Sequence, residues 1–322
     1  MEPQPSPPEL SQPQPQSVQP QLGPPRPSWR NDLRYLLRRA AGGFLFGVPL
    51  LYTVELWVIG ETTRPYWLLG ALAIGFVVVF LLLQVEGLRR HQRPALGQSA
   101  IDTLEVLGVG VVCATLSLFL LRRITWITPL PEVLGKIVFE AIPFSFGSAL
   151  ASSLLGGDRR LFLGSLPATG DARSPAPPVP QPVPTPHPLD WGDTLADLDA
   201  TLLGAFIIAF NIAPTDEVAI LATDIPTLWL LVLMLTSLLI SYIIVFVAGF
   251  PNQSERQHQQ GLFQKPFSET IIAYLISLGA AVAMLWFFHK LGPTDPWQKW
   301  LSYTIVLGLP ASMGGAAGRI IV

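Results

Sequence analysis

The chain has 322 residues, of which 50% are hydrophobic and only 13% are charged, and its formal net charge at pH 7 is −2. An average soluble domain carries roughly 25% charged residues, so this composition excludes an ordinary soluble protein. A net charge near zero does not indicate a nucleic-acid partner, and we predict none. With one cysteine, Cys113, the chain cannot form an intrachain disulfide.

Two segments are rich in proline and poor in apolar residues. Residues 1–28 consist largely of Pro, Gln and Ser, and residues 156–190 contain the proline-rich tract 175–186. Such segments bury too little apolar surface to offset the entropy of ordering them. We therefore predict a disordered tail and an extended linker, which separates two membrane portions, 29–155 and 191–322.

The rest of the chain consists of apolar runs of up to about twenty residues. They cover residues 38–59, 66–86, 102–121, 134–155, 198–213, 227–249, 269–289 and 301–321. A helix needs roughly 20 apolar residues to cross a bilayer core, and these runs lack the alternation of β-barrel strands. The sequence predicts an all-α polytopic membrane protein with about eight transmembrane helices, four on each side of the linker.

Charge and tryptophan positions predict the orientation of these helices. If the N-terminus is cytoplasmic, fourteen lysines and arginines flank the cytoplasmic ends and six flank the opposite ends. Most tryptophans then fall at the opposite boundary, where such rings anchor helices: Trp57, Trp67, Trp126, Trp229, Trp286, Trp297 and Trp300. We predict that both termini and the linker are cytoplasmic.

The two membrane portions are similar in sequence. A shift of 162 positions aligns Trp29 with Trp191 and Gly42 with Gly204, and a shift of 167 aligns the later helices. The matches include Trp, Glu, Pro and Gly, which chance similarity between apolar runs would not align. Because each portion has an even number of predicted spans, we expect two parallel four-helix repeats, related by a pseudo-two-fold axis along the membrane normal.

Glu55 and Glu217, which the first shift aligns, are the leading site candidates. Each ends the first apolar run of its half beside a helix-breaking proline, Pro49 or Pro214. A carboxylate near a bilayer is costly unless it is hydrated, paired or protonated, so we predict that both face a shared ion-binding cavity or each other. The alternative is that each reaches interfacial water or pairs with a base (Arg64, Arg122 or Lys290).

Glu140 is a third acid candidate, inside the fourth apolar run. Its counterpart in the second half is Leu307, so this carboxyl breaks the symmetry of the repeat. An acid within the membrane indicates an ion or proton pathway. Alternatively, Glu140 pairs with Lys136, which lies four residues earlier on the same helix.

A Pro-x-Ser-x-Gly-x-Ala pattern occurs in the last helix of each half. The first copy is Pro143, Ser145, Gly147 and Ala149, and the second is Pro310, Ser312, Gly314 and Ala316. Small residues let helices approach closely, and proline frees carbonyls that could line a cavity. We expect these residues to kink the helices and to pack at the interface between the two halves.

The sequence carries no common catalytic or metal-binding motif. It contains no His-Glu-x-x-His, Cys-x-x-Cys, phosphate-binding loop or Gly-x-Ser-x-Gly segment. We therefore predict a protein that is not an enzyme and needs no metal or cofactor. The lipid bilayer is its one evident partner.

The segment from Gly42 to Gly60 resembles a known family. It reads Gly-Gly-Phe-Leu-Phe-Gly-Val-Pro-Leu-Leu-Tyr-Thr-Val-Glu-Leu-Trp-Val-Ile-Gly from residue 42. This stretch is similar to the first helix of a bacterial integral membrane protein family, frequent in cyanobacteria and without an assigned activity. The resemblance covers about residues 34–320 and implies a location in the bacterial inner membrane.

These features favour a channel or carrier for an ion or small solute. A carboxylate in each repeat, close to helix-breaking residues, is the pattern that a pathway near the pseudo-two-fold axis requires. The alternative is a membrane scaffold or assembly factor that transports nothing. An intramembrane enzyme ranks third, because the sequence offers no nucleophile, base or metal ligands.

Overall fold

A computed structural model describes residues 29–89, 96–154, 191–248 and 266–321. The tail 1–28 and the linker 156–190 lie outside these described residues. Within them the regular elements are helices: α1 Trp29–Leu51, α2 Val54–Thr62, α3 Pro65–Arg89, α4 Leu96–Leu120, α5 Leu130–Leu154, α6 Trp191–Ile212, α7 Glu217–Asp224, α8 Thr227–Tyr242, α9 Pro266–Phe287 and α10 Trp297–Ile321. Helix α8 continues into a π-helical turn, Ile243–Val247.

Five of these helices are long and apolar enough to cross a membrane: α3, α4, α5, α8 and α9. Two further candidates are bent pairs, in which α2 follows α1 at 87° and α7 follows α6 at 91°. The described chain thus has five to seven candidate spans. The predicted runs 38–59 and 198–213 correspond to the two bent pairs, in keeping with the broken helices expected near Pro49 and Pro214, and the run 301–321 is not among the candidates.

The two bends lie where proline interrupts the backbone ladder. Pro49 is in the last turn of α1, and it lacks the N–H that would continue the helix. The chain turns at Thr53, whose N–H donates to the Leu50 carbonyl at 3.1 Å. At the second bend Pro214 follows α6, and the Thr215 N–H donates to the Ile212 carbonyl at 3.1 Å. We call these two bends the elbows.

Helices α5 and α10 are the central helices of their halves. Helix α5 packs against α1, α2, α3 and α4, while α10 packs against α6, α7, α8 and α9. Residues 305–316 of α10 are all buried. A helix that its neighbours shield from lipid need not be strongly apolar, which explains the small and polar residues that lower the hydropathy of α10.

Glycines bring the backbones of paired helices into contact. A Cβ added at Gly147 of α5 would lie 3.0 Å from the Gly42 carbonyl carbon of α1. A Cβ added at Gly204 of α6 would lie 2.9 Å from the Gly314 carbonyl carbon of α10. Gly147 and Gly314 therefore pack against the first helix of their own half and not between the halves. For the other residues of the Pro-x-Ser-x-Gly-x-Ala pattern, packing between the halves stays a prediction.

The turns that follow α4 and α9 have the same hydrogen bonds. Arg122 and His289 adopt left-handed φ values of 57° and 58°. The next N–H in each turn, from Arg123 or Lys290, donates to a carbonyl five residues earlier, at 2.8 and 2.9 Å. This is the Schellman arrangement that ends many helices, and the two turns occur 167 residues apart.

The two halves share one continuous core. Across their boundary the Tyr52 hydroxyl donates to the Val306 carbonyl at 2.5 Å, and the Trp229 indole N–H donates to the Leu120 carbonyl at 2.7 Å. Arg38 of α1 donates through Nε to the Ala248 carbonyl at 2.9 Å. Helix α1 therefore joins its own half to α10 and to the end of α8.

The glycine contacts predict that the same substitution, glycine to alanine, has different effects on stability at different positions. Gly147→Ala or Gly314→Ala forces a methyl group into a facing backbone and should destabilise the protein by about 1–3 kcal/mol. Gly108 and Gly279 have nothing within 4 Å of an added Cβ, so alanine there should be neutral or should stabilise by up to about 1 kcal/mol. Thermal unfolding of the detergent-purified variants measures these changes in stability. Equal effects at all four positions would contradict the packing.

Candidate functional site

A buried lysine forms the centre of a charged cluster beside the first elbow. Lys136 of α5 is 4% exposed. Its ammonium lies 2.6 Å from a Glu132 carboxylate oxygen, 2.7 Å from Glu61 and 3.0 Å from the Arg123 carbonyl. Three acceptors match the three donors of an ammonium, which makes its burial tolerable.

Arg123 extends this cluster to the other half of the molecule. Its guanidinium pairs with Asp224 at the end of α7, and its central carbon lies 5.0 Å from the Trp57 ring centroid. Such a cation–π contact stabilises a partly desolvated arginine. Arg123 therefore connects the helices that follow the two elbows, and we refer to Trp57, Glu61, Arg123, Glu132, Lys136 and Asp224 as the elbow cluster.

Glu140 lies one helical turn beyond Lys136 and is wholly buried. In the described part of the chain, neither of its carboxylate oxygens has a hydrogen-bond partner. The Trp57 side chain lies beside it, but the indole N–H donates to the Leu51 carbonyl at 3.0 Å. The proposed pairing of Glu140 with Lys136 is wrong, because Glu61 and Glu132 bind that lysine.

Glu55 and Glu217 occupy equivalent places, each in the first turn of the short helix after an elbow. Glu55 is exposed, whereas Glu217 is partly buried, with one carboxylate oxygen enclosed and unpartnered among the described residues. Lys290, considered above as a partner, binds Asp216 at 2.8 Å instead. Helix α2 packs against α5 and α7 against α10, so each acid lies on a helix that packs against the central helix of its half. Whether the two share a cavity stays a prediction.

The second half does not repeat the elbow cluster. The counterparts of Lys136 and Glu140 are Tyr303 and Leu307. At the equivalent turn, Asp295 accepts hydrogen bonds from Lys299 at 2.9 Å and from the Gly292 N–H at 2.8 Å. These two bonds, that of Lys299 foremost, hold the pKa of Asp295 below its usual range. The buried Lys136 and Glu140 of the first half thus have no charged counterparts in the second half.

A surface groove lies apart from these acids. It encloses about 620 Å³ along the start of α3 and is lined by Thr62, Thr63, Arg64, Tyr66, Trp67, Gly70, Ala71, Ile74 and Phe139. None of Glu55, Glu140 and Glu217 lines it. Among the described residues, no three or more His, Cys, Asp or Glu side chains converge as metal ligands would.

Sequence reasoning missed most of the elbow cluster. It considered Lys136 only as a partner for Glu140, and it treated Arg123 only as a charge flanking the membrane. The signal available was a lysine inside an apolar run, with Glu61 and Glu132 in the flanking turns. Nothing in the sequence indicated that Trp57 would lie between Arg123 and Glu140, because that depends on the elbow.

A helical bundle with five to seven candidate spans and charges enclosed at one end of its central helix defines an integral membrane protein. Residues 35–322 match the family model described as "Putative integral membrane protein (DUF2391)", and the chain belongs to this family. The match extends over both halves. No curated protein and no solved structure matches the chain.

The elbow cluster predicts that Lys136 contributes more to thermal stability than Lys299, although each lies near the start of the last helix of its half. Lys136→Met leaves two carboxylates and a carbonyl without their buried cation, and should lower the thermal unfolding midpoint markedly. Lys299→Met removes a more exposed pair with Asp295 and should lower the midpoint less. Midpoints of both variants, measured side by side in one detergent, test this. A larger drop in the midpoint for Lys299→Met than for Lys136→Met would refute the assignment of Lys136 as the buried centre of the cluster.

Proposed function

We propose that the protein is a channel or carrier for an ion or small solute, and that Glu140 is its central ion- or proton-binding group. The observation that carries this proposal is an acid in a membrane helix, fully buried and without a hydrogen-bond partner among the described residues. An unpaired carboxylate in such surroundings is strongly disfavoured. A group that is costly to keep and has no packing role points to a function.

The surroundings of Glu140 support a proton or a small cation as the species it binds. As a neutral acid, Glu140 tolerates the apolar interior, and it can lose its proton only if a cation replaces it or a base accepts it. The elbow cluster lies one turn away and reaches exposed groups, since Glu61 is 43% and Asp224 is 53% exposed. This polar path would connect Glu140 to the solvent at that side, with Trp57 beside it.

We further propose that the two halves are parallel repeats with eight spans in all. The eight are the five long helices, the two bent pairs and the shielded helix α10. Support comes from the similar bends of 87° and 91°, the matching turns after α4 and α9, and the glycine contacts at equivalent positions. A structure of the halves related by an axis in the membrane plane would be incompatible with this arrangement.

We propose a location in the bacterial cytoplasmic membrane, with both termini and the linker in the cytoplasm. The asymmetry of Lys and Arg along the chain supports this orientation. In a Cys113→Ser background, Thr62→Cys should react with an impermeant maleimide in intact cells, and Pro180→Cys should react only after the cells are opened. Reaction at position 180 with none at position 62 would reverse the orientation.

Flux through proteoliposomes tests the function of Glu140. We expect the purified protein to conduct at least one species from a panel of protons, cations and anions. Glu140→Gln, which cannot ionise, should lower that flux at least about tenfold or remove its pH dependence. Asp102→Asn is the matched control, because Asp102 accepts a bond from Gln98 of its own helix, away from the elbow cluster, and should leave flux unchanged.

The same assay ranks the other two acids. If Glu55 and Glu217 contribute to the pathway, Glu55→Gln and Glu217→Gln should each change flux or its pH dependence in protein that remains folded. Normal flux in the variant that carries both substitutions would show that neither Glu55 nor Glu217 belongs to the site. Glu140 would then remain the candidate. Absence of flux for every species tested would favour a scaffold or assembly role. We propose no enzymatic activity, whether the protein is a transporter or a scaffold.

A further inference from the structure

The second half contains a small cavity with several polar side chains in its wall. Its volume is about 10 Å³, and among its apolar lining atoms it has hydroxyl groups and one guanidinium: Ser241, Thr270, Tyr274, Ser277, Ser312 and Arg319. These side chains come from three helices, α8, α9 and α10. A cavity of roughly 10–15 Å³, measured in this way, holds one water molecule.

Two of the hydroxyls lack a hydrogen bond in the described part of the chain. Tyr274 is 3% and Ser241 is 7% exposed, and both hydroxyl oxygens are enclosed without a partner. The Ser237 hydroxyl lies beside Tyr274 and donates to the Leu233 carbonyl at 2.8 Å, but it is outside hydrogen-bonding geometry with the Tyr274 hydroxyl. A buried hydroxyl without a partner costs about 1–3 kcal/mol, so two in one cavity require an explanation.

The equivalent place in the first half keeps some of these hydroxyls and lacks others. The shifts that align the two halves put Thr103 opposite Thr270 and Ser145 opposite Ser312, but Val79 opposite Ser241 and Leu107 opposite Tyr274. In the first half Val79 and Leu107 belong to a separate buried hydrophobic cluster, with Leu83 packed against it. The fold therefore accommodates apolar side chains at the positions of Ser241 and Tyr274, whose hydroxyls are not needed for packing.

The remaining hydroxyls define what the cavity can hold. Thr270, Ser277 and Ser312 donate to carbonyls of their own helices at 2.8, 2.9 and 2.8 Å, which leaves only their lone pairs facing the cavity. Tyr274 and Ser241 each have a proton to donate. Arg319 pairs with Glu269, so the cavity wall carries no uncompensated charge, and its occupant need not be an ion.

We infer that this cavity is a binding site for one water molecule, which accepts from the Tyr274 and Ser241 hydroxyls and donates to the neighbouring lone pairs. A water molecule both donates and accepts, as this mixed wall requires, whereas a halide ion only accepts. The bound water joins α8, α9 and α10 immediately before the π-helical turn Ile243–Val247. Such turns are frequent at functional sites, and the water occupies a place where the first half has the apolar side chains of Val79 and Leu107.

Conservative substitutions distinguish a hydrated cavity from a dry one, because they should lower the unfolding midpoint in the first case and leave it unchanged or raise it in the second. If water bridges the hydroxyls, Tyr274→Phe and Ser241→Ala each remove one of its bonds and should lower the unfolding midpoint by about 2–4 °C, a typical shift for 1 kcal/mol in a chain of this size class. If the cavity is dry, both variants relieve an unpartnered hydroxyl and should be neutral or more stable. Tyr66→Phe, on the surface, is the control and should not change the midpoint.

Two further measurements test the remaining alternatives, a dry cavity and a bound anion. Ser241→Val copies the first-half residue Val79 and fills the cavity: it should destabilise a hydrated site and stabilise a dry one, even if Tyr274→Phe does not fold. The wild-type midpoint should not differ between chloride and gluconate at equal ionic strength. A midpoint that rises with chloride and loses this dependence in Tyr274→Phe would overturn water in favour of an anion, and stabilisation by Ser241→Ala and Ser241→Val would overturn the site altogether.

Discussion

The backbone contact between a central helix and the first helix of its half is the constraint on which the rest of the structure depends. In a bilayer, lipid tails are as apolar as side chains, so helices associate through close packing rather than through the hydrophobic effect. Gly42 with Gly147, and Gly204 with Gly314, allow that approach. Once α1 lies directly against α5, the elbow after α1 has to place α2 across the far end of α5. Trp57 and Glu61 thereby reach Lys136 and Glu140.

The two halves use the same architecture for different interiors. The first half has buried charges at its elbow and an apolar cluster around Val79 and Leu107. The second half has Tyr303 and Leu307 in place of the buried charges, and a polar cavity around Tyr274 in place of the apolar cluster. Close packing at the shared glycine positions leaves these other positions free to differ. A pathway through such a molecule would be asymmetric even though the bends, turns and glycine contacts of the two halves correspond.

The boundary between the halves is where these interiors come closest. Tyr52, at the first elbow, donates to the Val306 carbonyl of α10, and the Tyr274 hydroxyl lies 3.9 Å from the position of a Cβ added at Gly308. Both phenols therefore contact the same part of α10. Arg123 adds a second connection on the elbow side, through Asp224. Motion of one half relative to the other would have to break these few polar contacts.

The sequence by itself determined the helical membrane class, the apolar runs and the register that aligns Gly147 with Gly314 and Glu55 with Glu217. These features follow from local composition and spacing, because a helix must satisfy its own backbone in lipid. It also indicated that Pro49 and Pro214 would disturb their helices. It could not give the angle of the bends, which depends on the helix that the chain meets after the proline.

Only the tertiary structure decided which polar groups meet. Glu140 and Lys136 are ideally spaced for a pair on one helix, yet Glu61, from a helix turned through an elbow, contributes to holding the lysine instead. Gly147 and Gly314 suit any close interface, and the fold places them within the halves. Tyr274 and Ser241 are 33 positions apart on different helices and share one cavity. Each of these outcomes is a long-range contact, and spacing along one helix carries no information about the face that another helix presents.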